Sequence, residues 1–350
     1  MAIPIVLLGC GTVGRALARE ALSLGDEIRF LAVLDSSGGL VAPSGIPAGR
    51  LREILSFKEK GEGLGATGLA WEEALEAVRS LLREGRGVVV DATASEGTVG
   101  TLLAALDQGW GVVLANKRSL VGPWENYRRL TASGRLRYEA TVGAGLPVIA
   151  VLNSLLATGD EVYRIRGILS GTLGFLLHRV EEGIPFSQAV REAMARGYTE
   201  PHPAEDLSGK DVARKALILA RTFGLPLELR EVAVEPLCPP DPGEMPIEEF
   251  LKTLRLMDAG MRRRVELAGK KGKVLRYLAE VSPEGTRVGL MEVEWESPLA
   301  RARGPENVVV LETRRFWEWP LVISGPGAGP PSTAAGLLAD IVRLGGSSRR

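Results

Sequence analysis

The chain has 350 residues, 45% apolar and 25% charged, which is enough for two domains with their own cores. Lysine plus arginine and aspartate plus glutamate stand at 43 each, so no overall field points to nucleic acid or an anionic membrane as partner. Only Cys10, Cys238, His178 and His202 are present of their kinds, which argues against a disulfide framework, a zinc cluster and a Cys/His nucleophilic pair.

Local basic runs, Arg262 to Arg264 and Lys270 to Lys273, alternate with apolar residues and read as solvated helix faces. No apolar run reaches membrane-spanning length, and no basic segment precedes the first apolar stretch as a signal peptide requires. The expected compartment is the cytosol.

In chain order, Ile3 to Leu8 reads as a buried parallel strand. Gly9, Gly11 and Gly14 follow in the spacing G-x-G-x-x-G, before a helical pattern from Arg15 to Leu24. The first glycine permits a tight turn, the second lets backbone approach a pyrophosphate, and the third lets helix and strand pack closely. A second strand, Arg29 to Leu34, ends at Asp35, placed to accept hydrogen bonds from an adenosine ribose. A carboxylate there leans toward NAD over NADP, although Arg50 or Lys58 in the following loop could receive a 2′-phosphate. The alternation continues with a helix over Trp71 to Leu82, a strand over Gly87 to Asp91, a helix over Thr98 to Asp107 and a strand over Gly111 to Ala115. This is the rhythm of an α/β Rossmann fold, a doubly wound parallel sheet. Thr93 and Lys117 lie just past strand ends, where such sheets place their ligands.

The texture changes from Arg137, which sets a domain boundary near residues 125 to 140. Tyr138 to Pro147 is a small-residue turn in which Glu139 and exposed carbonyls could share a hard cation, or which is a plain loop. Val162 to Leu169 reads as a strand, Ser170 to Gly174 as a glycine turn, and Phe175 to Glu182 as a helix. One or two helices are expected over Ile247 to Leu278, and strands around Val288 to Glu296, Val308 to Leu311 and Leu321 to Ser324, an α+β pattern. Gly325 to Gly329 then leads into a helix ending at Leu344.

Ionisable side chains concentrate between Gly197 and Arg221. Pro201 and Pro203 stop the helix arriving over Ala189 to Arg196, and Ser208 with Asp211 has the pattern of a capping box. The apolar spacing from Val212 to Ala220 places Asp211 and Lys215 one turn apart on one helix face, with Glu200, Glu205 and Asp206 in the loop before it. The pair is open to two readings, a solvated ion pair or a reactive centre.

Taken together, Gly9 to Gly14, Ala115-Asn116-Lys117, Tyr138 to Leu146, Gly171-Thr172-Leu173, Gly197 to Pro201, Asp211 to Lys215 and Gly325 to Gly329 resemble the homoserine dehydrogenase family over essentially the whole chain. The resemblance implies reversible NAD(P)H-dependent reduction of L-aspartate 4-semialdehyde to L-homoserine, in the branch leading to threonine, methionine and isoleucine. It implies a Rossmann domain over residues 1–135 with 325–350, and an α+β catalytic and dimerisation domain over 136–324 that forms a homodimer. Carried over by position, Lys215 and Lys117 are the catalytic lysines, Lys117 lying also near the nicotinamide. Glu200 and Asp211 bind the substrate amino group, with Gly197 in the same site. Gly9, Cys10, Gly11, Thr12, Val13, Gly14, Asp35, Thr93 and Gly329 line the cofactor. Glu139 and the carbonyls of Val142, Ala144 and Leu146 match the family's sodium site. Two departures are Cys10, where the family often has a small residue, and His202, in a stretch that is frequently acidic. The chain stops at Arg350, so the short form without a regulatory ACT domain is expected.

Residue chemistry accommodates this. A lysine beside a carbonyl oxygen can stabilise oxyanion charge and donate a proton, and two lysines in one desolvated pocket are expected to lower each other's pKa. Aspartate-semialdehyde dehydrogenase shares the substrate but needs a nucleophilic cysteine with a nearby histidine, which neither Cys10 nor Cys238 offers in context. A non-catalytic nucleotide sensor would bind cofactor without turnover, and nothing in it requires Lys117, Glu200, Asp211 and Lys215 together.

Overall fold

The computed structural model describes residues 2–66, 68–239 and 245–346. It divides into two compact units. The first runs to Gly145 and resumes at Ala328, and the second is Leu146–Gly327. The chain leaves unit one ten residues beyond the expected position 135 because Tyr138 to Gly145 stays tied to a later helix of that unit. Residues 347–350 of the expected Rossmann segment lie outside the described residues.

Unit one holds strands β1 Ile3–Leu8, β2 Ile28–Asp35, β3 Gly38–Val41, β4 Leu69–Ala70, β5 Val88–Asp91, β6 Gly111–Leu114 and β7 Leu136–Arg137 in the order β4-β3-β2-β1-β5-β6-β7. The pairs from β2 through β7 are parallel, while β3 adds antiparallel to β2 and β4 antiparallel to β3. Strands β1, β5 and β6 are almost wholly buried, as continuous Val/Ile/Leu runs require when both sheet faces are covered. The covering helices are α1 Thr12–Ser23, α2 Ala48–Glu59, α3 Trp71–Glu84, α4 Val99–Asp107, α5 Arg118–Val121 and α6 Trp124–Ala132. A further helix, Pro330–Gly345, returns to this sheet. Its Ala334, Leu337 and Ile341 share a core with Ile3, Ile5, Leu17 and Val90. Because β1 pairs with β2 on one side and β5 on the other, the Gly9 to Gly14 loop lies at the switch point of the sheet.

Unit two holds α7 Val148–Ala157, β8 Val162–Ile168, α8 Gly171–Glu181, α9 Phe186–Ala195, α10 Ala204–Leu207, α11 Lys210–Phe223, β9 Ala233–Val234, α12 Ile247–Thr253, α13 Asp258–Lys270, β10 Lys273–Ser282, β11 Gly285–Glu294, α14 Pro298–Arg301, β12 Glu306–Thr313 and β13 Leu321–Pro326. The six strands are ordered β13-β12-β8-β10-β11-β9, and all pairs except β11 with β9 are antiparallel. The α+β expectation is met, with one correction. The helical reading of Ile247 to Leu278 fails from Lys273 onward, because the chain turns at Gly272 (φ 70°) and Lys273 opens β10. The Lys270 to Lys273 run is therefore a helix end, a turn and a strand start. Helices α8, α11 and α13 pack on this sheet, and α11 buries Val212, Ala213, Ala216, Leu217 and Leu219 as its apolar spacing requires.

Candidate functional site

In unit one the glycine loop is shaped by its neighbours. Gly9 has φ 97°, and a Cβ there would stand 2.7 Å from the carbonyl carbon of Ala92 and 2.8 Å from the amide nitrogen of Thr93. A Cβ at Gly14 would meet the Gly9 carbonyl at 1.9 Å, so helix and strand close up only around glycine. Gly11 faces open space, which leaves room for a bulky group against its backbone. Helix α1 starts at Thr12 with no side chain capping its first turn, so the amides around Thr12 and Val13 form an anion-binding end. Cys10 donates its backbone N–H to Leu34 O, and burial pushes its thiol up to about 11. It is a packing residue with no thiolate for covalent chemistry. Gly329, with φ 106°, precedes the returning helix and accepts from the Thr333 hydroxyl.

Two strand ends carry the same device. Asp35 Oδ1 accepts from the Ser37 N–H at 2.8 Å and the Ser37 hydroxyl at 2.6 Å. Oδ2 accepts from Lys58 Nζ at 2.6 Å and the Leu64 N–H at 3.0 Å. Burial opposes the charge, but these donors outweigh it and hold the carboxyl below the ordinary range. The four acceptor directions expected to face a ribose are occupied by the chain itself. Lys58 sits on α2, a helix the sequence reading passed over as loop. At the end of β5, wholly buried Asp91 takes Thr93 N–H at 2.9 Å, Thr93 Oγ1 at 2.7 Å, Thr98 Oγ1 at 2.7 Å and Asn116 Nδ2 at 3.0 Å. Asn116 also donates to Ser95 O and accepts from the Arg118 N–H, so Thr93 and the start of α5, where Lys117 is the N-cap, share one network. Asp91 was missed in the sequence, although Asp-x-Ser/Thr at a strand end, present at both Asp35 and Asp91, is the signal of this Asx turn.

The turn after β7 contains a short 3-10 segment, Glu139–Thr141, then Gly143 at φ 81° and Ala144 at φ 55°. Glu139, Val142 and Ala144 are buried in unit one, whereas Leu146 opens unit two.

In unit two, Lys215 lies on the second turn of α11. Its Nζ donates to Leu169 O at 2.6 Å and meets Asp211 Oδ2 at 2.9 Å. The lysine side chain is 12% exposed and the aspartate 49%. Leu169 directly follows β8, and Ser170 caps α8 by accepting from the Leu173 N–H. The expected Ser208 cap is corrected. Gly209, at φ 70°, is the N-cap of α11, because a Cβ there would stand 2.0 Å from Tyr277 Oη. Ser208, one residue earlier, donates to Glu205 O and accepts from the Lys210 N–H at 3.3 Å. The segment from Pro201 turns at once into α10, with His202 Nδ1 accepting from the Ala204 N–H and Nε2 at 3.0 Å from Met245 O. Exposed Glu200 donates its N–H to Asp206 Oδ2 at 2.8 Å, and Thr172 Oγ1 donates to Tyr198 O at 2.6 Å. Burial first, and then the nearby Asp211 charge, push the Asp206 carboxyl up. Asp206 and Thr172 thus hold the Tyr198 to Glu200 segment, a role the sequence did not disclose. Gly197, at φ 69°, ends α9 on the surface.

A Rossmann-type unit with this loop, and a second unit carrying a clamped lysine, define a dinucleotide-dependent oxidoreductase. Residues 9–139 match the family described as homoserine dehydrogenase, NAD binding domain, and residues 147–342 match homoserine dehydrogenase. The chain belongs to the homoserine dehydrogenase family, whose members are NAD(P)-dependent oxidoreductases. It is 34% identical to a homoserine dehydrogenase of Emericella nidulans, over 98% of this chain and 99% of that one. It is 38% identical to a chloroplastic bifunctional aspartokinase/homoserine dehydrogenase of Daucus carota, over 98% of this chain and 38% of that protein. The chain therefore spans about two fifths of the length of that bifunctional relative. A solved hyperthermophilic archaeal homoserine dehydrogenase in complex with NADPH has a TM-score of 0.74 and 26% identity, covering 98% of each chain. Among the described residues no helix is long and apolar enough to cross a membrane.

Proposed function

We propose that the chain catalyses the reversible reduction of L-aspartate 4-semialdehyde to L-homoserine with NADH or NADPH, in the cytosol. The observation that carries this is Lys215, whose ammonium is held by Leu169 O and Asp211. An ammonium has three donors, and these contacts use two. The remaining N–H is the donor for the aldehyde oxygen, where the lysine balances developing negative charge and delivers the proton.

Glu200 and Asp211 bind the α-ammonium of the substrate and so orient its carbonyl, with Gly197 in the same binding segment. Lys117 is the second lysine of the reaction. The dinucleotide, when bound, supplies or accepts the hydride. Gly11, Thr12 and Val13 hold its pyrophosphate, with Gly9, Cys10 and Gly14 shaping the loop beneath it, and Thr93, Lys117 and Gly329 hold the remainder. The open space at Gly11 and the uncapped start of α1 fit that group. At the adenosine end Asp35 is saturated by the chain, which leaves Lys58 as the group for a 2′-phosphate. Glu139 with the carbonyls of Val142, Ala144 and Leu146 is an all-oxygen donor set suited to a hard monovalent cation, sodium.

The protein acts as a homodimer through unit two, where Leu256, Leu267, Trp295, Trp317 and Trp319 are exposed. Light scattering tests this, and a monomer at assay concentration would rule it out.

The activity is tested by following reduced nicotinamide absorbance with purified protein, L-homoserine and NAD or NADP, with sodium present. Reduction with homoserine but not threonine or serine is expected. Cofactor binding without turnover under these conditions would contradict the proposal.

A further inference from the structure

On the returning helix, Ser332, Gly336 and Asp340 are spaced by four residues and share one face. All three meet the Glu139 to Gly145 turn of the same unit. Asp340 Oδ2 accepts from the Glu139 N–H at 2.8 Å, across 201 residues of sequence. Ser332 Oγ accepts from the Gly145 N–H at 3.1 Å. Between them Gly336 brings no side chain, and a Cβ there would stand 2.7 Å from the Ala144 carbonyl oxygen and 3.3 Å from Gly145 Cα. The fit is reciprocal, since a Cβ on Gly145 would stand 2.6 Å from Ser332 O.

The turn so gripped is one the chain would not adopt unaided. Ala144 is the one non-glycine residue at positive φ among the described residues, a conformation that a Cβ disfavours. Such a conformation persists only where its surroundings over-determine it. The surroundings here are this helix face. Asp340 and Glu139 are both buried, and Arg343 Nη1 lies 3.1 Å from Asp340 Oδ1 and 3.6 Å from Glu139 Oε2, which joins the two carboxylates.

We propose that Asp340, Gly336 and Ser332 are positioning residues that fix the left-handed turn at Gly143 and Ala144, and through it present Glu139 and the Val142 and Ala144 carbonyls to sodium. The sodium part rests on the cation reading above; the clamp stands on the geometry alone. Asp340 acts here through its acceptor oxygen. Asparagine, which keeps an acceptor, should therefore serve where alanine does not.

The test is amide hydrogen exchange of the full chain, read on peptides covering residues 138–145, in sodium chloride and in choline chloride. In Asp340→Ala and Gly336→Ala, exchange in this peptide should be about tenfold faster than in the parent, with the α1 peptide unchanged, since only the local opening is made easier. Asp340→Asn should stay within about threefold of the parent, and Ser332→Ala, the mildest change, should show faster exchange at Gly145 alone. The sodium concentration that half-protects the peptide should rise about tenfold in the first two variants and much less in Asp340→Asn. Parental exchange in folded Asp340→Ala, Gly336→Ala and Ser332→Ala overturns the clamp. Equal acceleration in Asp340→Asn and Asp340→Ala overturns the acceptor role. If sodium protects no form while the ranking among variants holds, the cation reading fails and the clamp is supported.

Discussion

In unit one Asp35 meets Lys58 at 2.6 Å, and in unit two Asp211 meets Lys215 at 2.9 Å; both lysines are enclosed, at 16% and 12% exposed, and it is the carboxylates that differ. Asp35 is 9% exposed and saturated by four donors, so its lysine is one clamp among several on a fixed carboxylate. In the second pair the amine is as enclosed as Lys58, but its carboxylate is half open. A carboxylate locked from every side organises backbone, here joining β2, α2 and the Leu64 turn. An amine held from two sides beside a half-exposed carboxylate suits the substrate-facing role proposed for it. Under the proposed function, the same two residue types in close contact serve structure in one unit and chemistry in the other.

The two pairs should separate cleanly on mutation. The largest effect expected, after loss of the lysine itself, is in Asp211→Asn, which should lower kcat/KM for homoserine by about 10- to 100-fold, since it weakens both the hold on Lys215 and ammonium binding. Its stability should change by less than about 0.5 kcal/mol, because the carboxylate is half exposed. Steady-state kinetics and thermal melts together read this, and a stability loss without a kinetic one would reverse the assignment.

Asp35→Ala should do the opposite. It should cost about 1–3 kcal/mol of stability by leaving the Leu64 N–H and Ser37 groups without their acceptor, while kcat changes little at saturating cofactor. The folded Asp35 carboxyl titrates below its ordinary value. Its contribution is therefore present above the unfolded pKa of about 4 and is lost as pH falls through the folded value. The stability gap between parent and Asp35→Ala, followed by urea melts, should shrink below about pH 4, and a gap that widens on acidification would contradict the ion pairing.

Lys58→Ala sharpens the first pair further. If the lysine also meets a 2′-phosphate, KM for NADP should rise about tenfold more than KM for NAD. Equal small changes would make the pair purely structural.

Much of this was legible in residues 3–35, because a buried strand, three glycines and a terminal acid each answer to a separate local requirement. Gly9 and Gly14 are where the chain has no room for a Cβ, and the spacing alone discloses that. The Asp211 and Lys215 pair was legible from helical periodicity. What sequence could not supply were tertiary choices. Gly209 displaces Ser208 as the cap because Tyr277, 68 residues on, fills the space a side chain would need. Lys58 lies on a helix with little amphipathic signal, and its approach to Asp35 depends on how α2 docks. Asp340 gains its partner only when segments 201 residues apart meet, and Asp206 gains its own through a loop turn that periodicity does not encode. His202, which departs from an acidic stretch, caps α10 through its ring, a use that residue charge does not foretell.

The most direct measurement is the single-turnover and steady-state rate of homoserine oxidation by Lys215→Ala beside Lys58→Ala, with cofactor dissociation constants determined for both. Lys215→Ala should lose about 10²- to 10⁴-fold in kcat, as removal of a positioned proton-transfer group does, and keep its cofactor affinity. Lys58→Ala should keep kcat within about threefold. Near-parental kcat in Lys215→Ala would contradict the assignment of the chemistry to the clamped lysine of α11.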